Sequence, residues 1–325
     1  MKCRICTNSK GNKQFKIREM MFGFRDSFTY FQCNKCGVLQ ISEIPKNMQK
    51  YYPKNYYSFE NLKSNPVLKL IKNLRADYAI LNKGMIGKVI YDTHPESALR
   101  SLSRIKLTKN SKILDVGSGR GVLLHQLKEI KFSNILGIDP YLDQDISYEN
   151  DLKILKKDIF EVDEKWDLIM FHHSFEHLSD PTKVLQHVSE ILSDGGTCIL
   201  RIPVVTSYAW EHYGVNWAQI DAPRHFFLYS ITGIQMMAEK AGLNIDEIVF
   251  DSTAFQFWGS EQYKRDISLM SEQSFAKNPS KSIFTKAQIK VFNRDAKALN
   301  EEKRGDQAIF YLKRNIPKNK RISYL

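Results

Sequence analysis

The sequence predicts an α/β fold in which a mostly parallel seven-stranded sheet is flanked by helices and preceded by a small cysteine-containing module. Short apolar runs alternate with helical patterns from residue 112 onward, which is typical of a parallel sheet. A glycine-rich segment joins the first run to a helix, and two C-x-x-C pairs stand near the N-terminus. The 325 residues are 42% hydrophobic, so the chain can bury a substantial core.

Two helices are predicted ahead of the sheet, at 67–83 and 95–105, after an aromatic connection at 51–66 that contains proline. The first helix carries apolar residues at spacings of three and four, which is a helical pattern. These residues are Leu70, Ile71, Leu74, Tyr78 and Leu81.

The predicted strands of the main domain are short apolar runs, and they cover 112–116, 134–139, 152–158, 165–173, 195–204, 244–253 and 306–314. The predicted helices among them cover 122–130, 181–192 and 232–242. The second of these begins with Asp180 and Pro181, an N-cap followed by Pro at the first helical position. Before the last strand lies a polar, mostly helical insertion, 259–305, which we expect to cap the ligand site.

The two C-x-x-C pairs predict a structural zinc site. Each pair forms a turn that can point two thiolates at one ion, and four cysteines suit tetrahedral zinc. The predicted ligands are Cys3, Cys6, Cys33 and Cys36. Redox chemistry is the alternative, but it needs a single pair that opens a helix. The fifth cysteine, Cys198, lies in an apolar run and is expected in the core.

Three regions follow from these elements. Residues 1–45 are predicted to form the zinc-binding module, 46–105 an aromatic linker with helices, and 106–325 the main domain.

The net charge of +12 is concentrated at the two ends of the chain. Residues 1–54 carry a net +8 and residues 311–325 a net +5, so the body is close to neutral. This placement predicts either an anionic partner near the ends or a solvated basic tail. No apolar run is long enough to span a membrane, and MKCRIC lacks the apolar segment of a signal peptide. We therefore expect a cytoplasmic protein without a transmembrane segment.

The segment LDVGSGRG predicts a ligand site at the first strand-to-helix turn. Gly117, Gly119 and Gly121 allow a sharp turn and a close ligand at a helix N-terminus. The dinucleotide pattern G-x-G-x-x-G is not met, because Val122 stands where its third glycine is required. Asp115 would repel a pyrophosphate and suits a ligand with a positively charged amine.

This D-x-G-x-G-x-G turn resembles the class I S-adenosylmethionine-dependent methyltransferases, over roughly residues 90–315. The resemblance implies that Asp139 holds the ribose hydroxyls of the cofactor and that Asp158 lies near the adenine amine, with Phe160 packing beside it. A carboxylate accepts two hydrogen bonds from a vicinal diol, which fits this role. The alternative for either aspartate is an ordinary loop or capping residue.

The segment HHSFEHLSDP follows the fourth strand and resembles the E-H-x-x-D-P segment of many small-molecule methyltransferases, where the loop runs beneath the sulfonium. We therefore place His173 among the cofactor-binding residues and His177 as a second candidate base. Capping of the next helix is the alternative for His177. A zinc site formed by two histidines and Glu176 is a further alternative.

The segment NWAQIDAPRHFFLYS, residues 216–230, sets charged groups among aromatic ones. We interpret it as a wall of the active site, with His225 as general base, Asp221 orienting it and Arg224 binding a phosphate or carboxylate of the substrate. A surface loop is the alternative. The four-cysteine module and RHFFLYS resemble bacterial methyltransferases that act on nucleotide-linked sugars, although Arg224 replaces the Glu of their Glu-His pair.

The predicted function is methyl transfer from S-adenosylmethionine to a hydroxyl or carbon of a sugar, nucleotide-linked or in a surface glycan. The expected partner is an anionic small molecule or glycan. The alternatives are an RNA methyltransferase that grips nucleic acid with its basic module, methylation of another small molecule, and a non-catalytic binding protein that keeps the fold.

Overall fold

The structure, a computed structural model, describes residues 1–53, 66–94 and 96–315. Most of the predicted aromatic connection, the first residue of the predicted helix 95–105 and the last ten residues of the basic tail lie outside the described residues.

The described strands and helices follow in chain order. The strands are β1 Lys13–Arg18, β2 Ser27–Gln32, β3 Leu39–Ile41, β4 Ile113–Val116, β5 Ile135–Ile138, β6 Ile146–Ser147, β7 Lys153–Leu155, β8 Trp166–His172, β9 Leu192–Pro203, β10 Phe227–Leu228, β11 Leu243–Phe250 and β12 Gln307–Arg314. The α-helices are α1 Pro66–Leu81, α2 Met85–Thr93, α3 Ser97–Leu102, α4 Val122–Glu129, α5 Pro181–Ile191, α6 Tyr208–Tyr213, α7 Ile231–Lys240, α8 Phe255–Lys264 and α9 Lys286–Glu301.

In the described part of the chain, the main sheet has eight strands in the order β11-β12-β9-β8-β4-β5-β7-β6. Strands β9, β8, β4, β5 and β7 are parallel neighbours. The last strand, β12, runs antiparallel to both β9 and β11. The two-residue strand β6 was not predicted. The predicted α/β fold with a mostly parallel sheet is confirmed.

Successive residues of β8 enter two different hydrophobic cores, one on each face of the sheet. Leu168 and Met170 belong to one core, and Ile169 and Phe171 belong to the other. Side chains alternate across a strand, so a sheet covered on both faces produces a continuous apolar run in the sequence. Cys198 on β9 is buried in one of these cores, and burial raises the pKa of its thiol.

The cysteine module is joined to the rest of the chain by a shared sheet. Strands β1, β2, β3 and β10 form this sheet, and β10 comes from the segment after β9. Phe227 pairs with Gln40 and Leu228 with Leu39. The guanidinium of Arg4 lies 4.4 Å from the centroid of the Phe227 ring. The predicted boundary at residue 45 stays a prediction, but the module completes its sheet with a strand from the main domain.

Helices α1 and α2 form a hairpin ahead of the sheet, and the prediction missed α2. Two residues of the predicted apolar stripe, Leu70 and Ile71, are exposed, whereas Ala76 and Ala79 of the same helix are buried. The two helices pack closely, since a Cβ at Gly87 of α2 would lie 2.2 Å from the carbonyl oxygen of Leu74. Gly87 therefore faces Leu74 and Tyr78 of α1. No helix among the described residues is long and apolar enough to cross a membrane.

The predicted insertion, 259–305, contains the last six residues of α8, a loop and α9. Thr285 and Gln288 form a capping box at the start of α9, and the rings of Phe257 and Phe292 stack 5.4 Å apart between the helices. Helix α8 packs against the segment after β9, where Ser260 Oγ accepts a hydrogen bond from the backbone of Ala218 at 3.0 Å. The insertion thus packs against the segment after β9 and holds it by this hydrogen bond.

Candidate active site

The glycine turn after β4 contains two close approaches that only glycine permits. Gly117 and Gly121 both have φ angles of +74°, in the left-handed region. A Cβ at Gly117 would lie 2.4 Å from the Cβ of Ser174, and one at Gly121 would lie 2.5 Å from Cδ1 of Ile154. Ser174 Oγ also donates to the carbonyl oxygen of Val116 at 2.6 Å. A hydrogen bond and close packing therefore hold the turn after β4 against the chain that leaves β8.

Two buried aspartates, Asp115 and Asp139, lie at this turn. Asp139 Oδ2 accepts from the backbone of Gly119 at 3.0 Å and its Oδ1 accepts from that of Tyr141 at 2.9 Å. Each of these oxygens keeps a second acceptor position. Burial raises the pKa of Asp139. Burial, followed by the charge of Asp139, raises the pKa of Asp115 to about 7.

The Asp115 carboxyl should give the ligand-free protein a specific pH dependence. The pKa of this carboxyl is roughly 3.9 in an unfolded chain. In the folded protein it is about 7. The stability it contributes is therefore present at low pH and lost as the pH rises toward 7. We expect wild type to lose about 1 kcal/mol per pH unit relative to Asp115→Asn between pH 5 and 7, with no further loss above pH 8.

Urea unfolding of both proteins at a series of pH values measures this difference. Asp163→Asn, at an exposed position, is the control and should differ from wild type by the same amount at every pH in this range. A pH-independent difference for Asp115→Asn would contradict the raised pKa.

The loop after β7 carries Asp158 and Phe160. Asp158 caps a 3-10 turn: its side chain accepts from the backbone of Phe160 at 3.1 Å, and its own N–H donates to Glu161 Oε2 at 2.8 Å. The capping role that was the alternative for Asp158 is thus present. The Phe160 side chain is 48% exposed, with its ring 5.4 Å from that of His187. This ring surface is accessible to a ligand.

Two histidines stand where β8 ends. The ring nitrogens of His172 are buried, and this burial lowers its pKa to about 3. His173 has a φ angle of +54°, and its Nε2 accepts from Arg201 Nη1 at 2.8 Å. Arg201 also donates through Nε to Asp251 Oδ2 at 2.6 Å. The position of His173 is therefore set by Arg201 of the neighbouring strand β9, which is itself paired with Asp251 after β11.

Glu176, His177 and His225 converge where the chain leaving β8 meets the segment after β9. The three residues offer ligand atoms that lie within 4.8 Å of one another. His225 Nε2 is 3.8 Å from Glu176 Oε1, and the two imidazole centroids are 4.7 Å apart. Glu176 is 0% exposed, and neither of its carboxylate oxygens has a hydrogen-bond partner among the described residues.

Backbone carbonyls orient both imidazole rings of this cluster. His177 Nδ1 lies 2.8 Å from the carbonyl oxygen of Arg224, and His225 Nδ1 lies 2.8 Å from that of Gln219. A carbonyl only accepts, so Nδ1 carries the proton and Nε2 has a free lone pair in each ring. Burial, then the proximity of His177, lowers the pKa of His225 to about 4, against the opposing effect of nearby carboxylates.

Arg224 lies in a buried charge network rather than at a ligand surface. Its side chain is 0% exposed; Nε and Nη2 donate to Asp221 at 2.9 and 2.6 Å, and Nη2 also donates to Glu19 at 3.1 Å. Nη1 donates to the carbonyl oxygen of Tyr51 at 3.1 Å. Burial alone would raise the pKa of Asp221, but Arg224 holds it below its usual value. The prediction that Arg224 binds a substrate anion is wrong, because no solvent-facing surface remains on its guanidinium.

Asp221 directs both oxygens at Arg224, and Asp221 Oδ2 is 3.9 Å from His225 Nε2. The His225 ring is therefore oriented by the carbonyl of Gln219, at 2.8 Å, more directly than by Asp221, the predicted partner. The alternative that residues 216–230 form a surface loop is wrong, since most of them are buried, including Trp217.

The four cysteines of the module are buried, form no disulfide and place their sulfur atoms within 4.8 Å of one another; they are Cys3, Cys6, Cys33 and Cys36. The Cys3–Cys36 and Cys6–Cys33 sulfur distances are 3.6 and 3.4 Å. Tetrahedral zinc with bonds of about 2.3 Å holds its sulfur ligands about 3.8 Å apart. Gln40 Nε2 donates to the Cys3 sulfur at 3.1 Å. The four residues thus fit a metal ion.

Residues 91–248 match the family model described as a methyltransferase domain. The match runs from α2 into β11, so it includes the glycine turn, both buried aspartates and the Glu-His-His cluster. It spans just under half of the chain.

This segment of the chain is similar to methyltransferase domains.

Three solved structures resemble the chain at low sequence identity. The cyclopropane synthase MmaA2 from Mycobacterium tuberculosis has 14% identity and a TM-score of 0.43, covering 78% of this chain and 99% of its own. A SAM-dependent methyltransferase from Archaeoglobus fulgidus has 18% identity and a TM-score of 0.39, covering 70% and 99%. The [4+2]-cyclase SpnF has 12% identity and a TM-score of 0.44, covering 77% and 96%. No curated protein matches the sequence.

The methyltransferase domain confirms the prediction of an S-adenosylmethionine-dependent methyltransferase. All predicted cofactor-binding residues lie inside the matched segment, whereas the four cysteines lie outside it. The roles of individual residues and the acceptor substrate stay predictions.

Aromatic residues at this face of the methyltransferase domain were missed by the sequence analysis. The rings of Tyr52 and Tyr141 are stacked with an interplanar angle of 14°, and the Tyr52 hydroxyl lies 3.3 Å from His177 Nδ1. Tyr141 follows directly after the Asp-Pro that comes after β5, so its position was a usable signal. Glu19 offered no signal, since it lies 205 residues from Arg224 in the sequence.

Proposed function

We propose that the chain transfers the methyl group of S-adenosylmethionine to a hydroxyl or carbon atom of a sugar, nucleotide-linked or in a surface glycan. The observation that carries this proposal is the cluster of Glu176, His177 and His225. Glu176 follows closely after Ser174, whose hydroxyl donates to the carbonyl of Val116 at the glycine turn, so the cluster lies beside that turn. The resemblance of the four-cysteine module and RHFFLYS to sugar methyltransferases supports the substrate class.

The cofactor would lie across the carboxyl ends of β4, β5 and β7, where ligands bind in open parallel sheets. Asp115 would pair with its amino group, Asp139 would accept from the ribose hydroxyls, and the Phe160 ring would pack on the adenine. The proposed cofactor residues are Asp115, Gly117, Gly119, Gly121, Asp139, Asp158, Phe160 and His173. The four cysteines would hold a structural zinc ion, because a closed set of four thiolates leaves no position for a substrate.

Methyl transfer requires that the acceptor atom attacks the methyl carbon in line with the breaking carbon–sulfur bond and loses its proton. The free Nε2 of His225 is the first candidate to take that proton, and the Nε2 of His177 is the second. Both rings are fixed by backbone carbonyls, so neither has to reorient before it accepts. Positioned proton acceptors of this kind contribute about 10²- to 10⁴-fold in rate.

Gly117→Ala should weaken S-adenosylmethionine binding about 10-fold or more, because the new Cβ collides with Ser174 and displaces the turn. Gly195→Ala is a matched control: Gly195 has a φ of +78°, but a Cβ there meets nothing within 4 Å. Calorimetric titration with S-adenosylmethionine measures both. Equal affinities for the two variants would show that the turn does not hold the cofactor.

The acceptor is tested by incubating the protein with labelled S-adenosylmethionine and a panel of nucleotide sugars, glycans and RNA. Label on a sugar, lost in His225→Gln and kept in His212→Gln at an exposed position, is the expected result. Label on RNA, with activity that falls steeply as salt is added, would instead establish the nucleic-acid alternative.

A further inference from the structure

The geometry of the Glu-His-His cluster points to a metal site in addition to the four-cysteine site. We propose that Glu176, His177 and His225 bind one divalent transition-metal ion on the acceptor side of the methyltransferase domain. Their ligand atoms already lie within 4.8 Å of one another, although they come from segments almost 50 residues apart.

The protonation of the two rings suits metal binding. Both Nδ1 atoms donate to backbone carbonyls at 2.8 Å, from His177 to Arg224 and from His225 to Gln219. The Tyr52 hydroxyl is a second, longer neighbour of His177 Nδ1, at 3.3 Å. Metal-binding histidines characteristically donate their other ring N–H in this way, because it fixes the tautomer and the direction of the ring. Both Nε2 atoms are thereby left as acceptors.

In the part of the chain that the structure describes, the Glu176 carboxylate has no close hydrogen-bond donor. It is 0% exposed and neither oxygen has a hydrogen-bond partner among the described residues. Its nearest nitrogen neighbours are His173 Nδ1 at 3.5 Å and His225 Nε2 at 3.8 Å, both too long for good hydrogen bonds. A buried carboxylate lowers the stability of the folded protein by roughly several kcal/mol unless a cation or a hydrogen-bond donor lies next to it. On the side of His173 the carboxylate faces a ring N–H at a long distance, because His173 Nε2 accepts from Arg201. On the side of His225 it faces a nitrogen lone pair, so two acceptors oppose each other there with no proton between them.

A metal ion resolves this conflict, since one cation can accept electron pairs from the carboxylate and from both imidazoles. Ligand atoms on an ion with bonds of about 2.0–2.2 Å are separated by roughly 3.3 Å. The 3.8 Å between His225 Nε2 and Glu176 Oε1 requires only a small side-chain adjustment. Two imidazoles and one carboxylate favour zinc, iron, cobalt or manganese over calcium, and they leave coordination positions open.

The role of this ion rests on the proposed function, and it refines one part of it. An acceptor hydroxyl bound at an open position would have a lowered pKa and would release its proton to water. Its oxygen would then attack the methyl carbon as the carbon–sulfur bond breaks, and the electron pair of that bond would stay on sulfur. His225 would act as a ligand in this reaction rather than as the base.

The test is a calorimetric titration of the full-length protein, with its cysteine site loaded with zinc, by Co²⁺ and by Mn²⁺. We expect wild type and His212→Gln to bind one additional equivalent. Glu176→Gln and His177→Gln should weaken this binding at least about 100-fold. Titration with S-adenosylmethionine shows whether each variant is folded, because the proposed cofactor residues are unchanged in both.

Each outcome decides one proposal. The metal site is rejected if wild type binds no additional equivalent, or if folded Glu176→Gln binds it as wild type does. Methylation of a sugar by protein without a second equivalent would reject the metal site and keep the proposed function. A second equivalent in a protein that labels no sugar would keep the metal site and reject the function.

Discussion

Replacing Arg224 by methionine should lower the free energy of unfolding by about 3–5 kcal/mol, a large effect for a single substitution. The guanidinium is fully buried and donates to Asp221, Glu19 and the carbonyl of Tyr51. Methionine fills a similar volume but leaves two buried carboxylates without a countercharge. One of them, Glu19, also accepts from the backbone of Phe22, so its position is fixed and it cannot move out to solvent.

Urea unfolding of Arg224→Met measures the loss, and Arg304→Met is the matched control. Arg304 pairs with Glu211 at 2.8 Å, but the two side chains are 47% and 64% exposed. A solvent-exposed pair of this kind contributes about 0–1 kcal/mol. If both variants lost the same small amount of stability, the buried network would not be a major contribution to the fold.

The fold was predictable from the sequence because each central strand is covered on both faces. In β8 the alternation of Leu168 and Ile169 between two cores produces the apolar run that predicts a buried parallel strand. The glycine turn was predictable for a similar local reason, since Gly117 and Gly121 adopt a backbone conformation that other residues rarely tolerate. These signals are confined to a few consecutive residues.

Contacts between distant segments could not be predicted in the same way. Arg224 has the chemistry of an anion-binding residue, and only the fold reveals that Glu19 of the cysteine module already occupies it. The Glu-His-His cluster was half predictable. The sequence places Glu176 and His177 at the carboxyl end of a strand, but the arrival of His225 at 3.8 Å depends on a segment that packs against the module.

Asp221 shows why closeness in sequence is a poor guide to pairing. It precedes His225 by four residues, which suggested a carboxylate–imidazole pair, but it has a φ angle of +43° and directs both oxygens at Arg224. The ring of His225 is held by a backbone carbonyl instead. Backbone partners carry no side-chain signature, so the sequence could not reveal this contact.

The second large effect is expected from loss of the proposed zinc ion at the cysteine site. Cys33→Ser should abolish zinc retention there and unfold the module, because structural zinc contributes about 10–16 kcal/mol in isolated zinc-finger peptides at pH 7. The damage should extend to the methyltransferase domain. Ser230 Oγ donates to the carbonyl of Cys36, and the Tyr30 hydroxyl donates to the carbonyl of His225 at 2.8 Å.

Zinc release to a chromophoric chelator and thermal unfolding measure the two parts of this prediction. Cys198→Ala is the control, because it changes a buried cysteine that belongs to the sheet core and not to the metal cluster. Cys198→Ala should keep the zinc of the cysteine site, whereas Cys33→Ser should lose it. Cys33→Ser should also turn over the acceptor more slowly, because the segment that carries His225 is anchored on the module. A Cys33→Ser protein with normal zinc content, or with normal stability and turnover, would mean that the module folds and positions His225 without the ion.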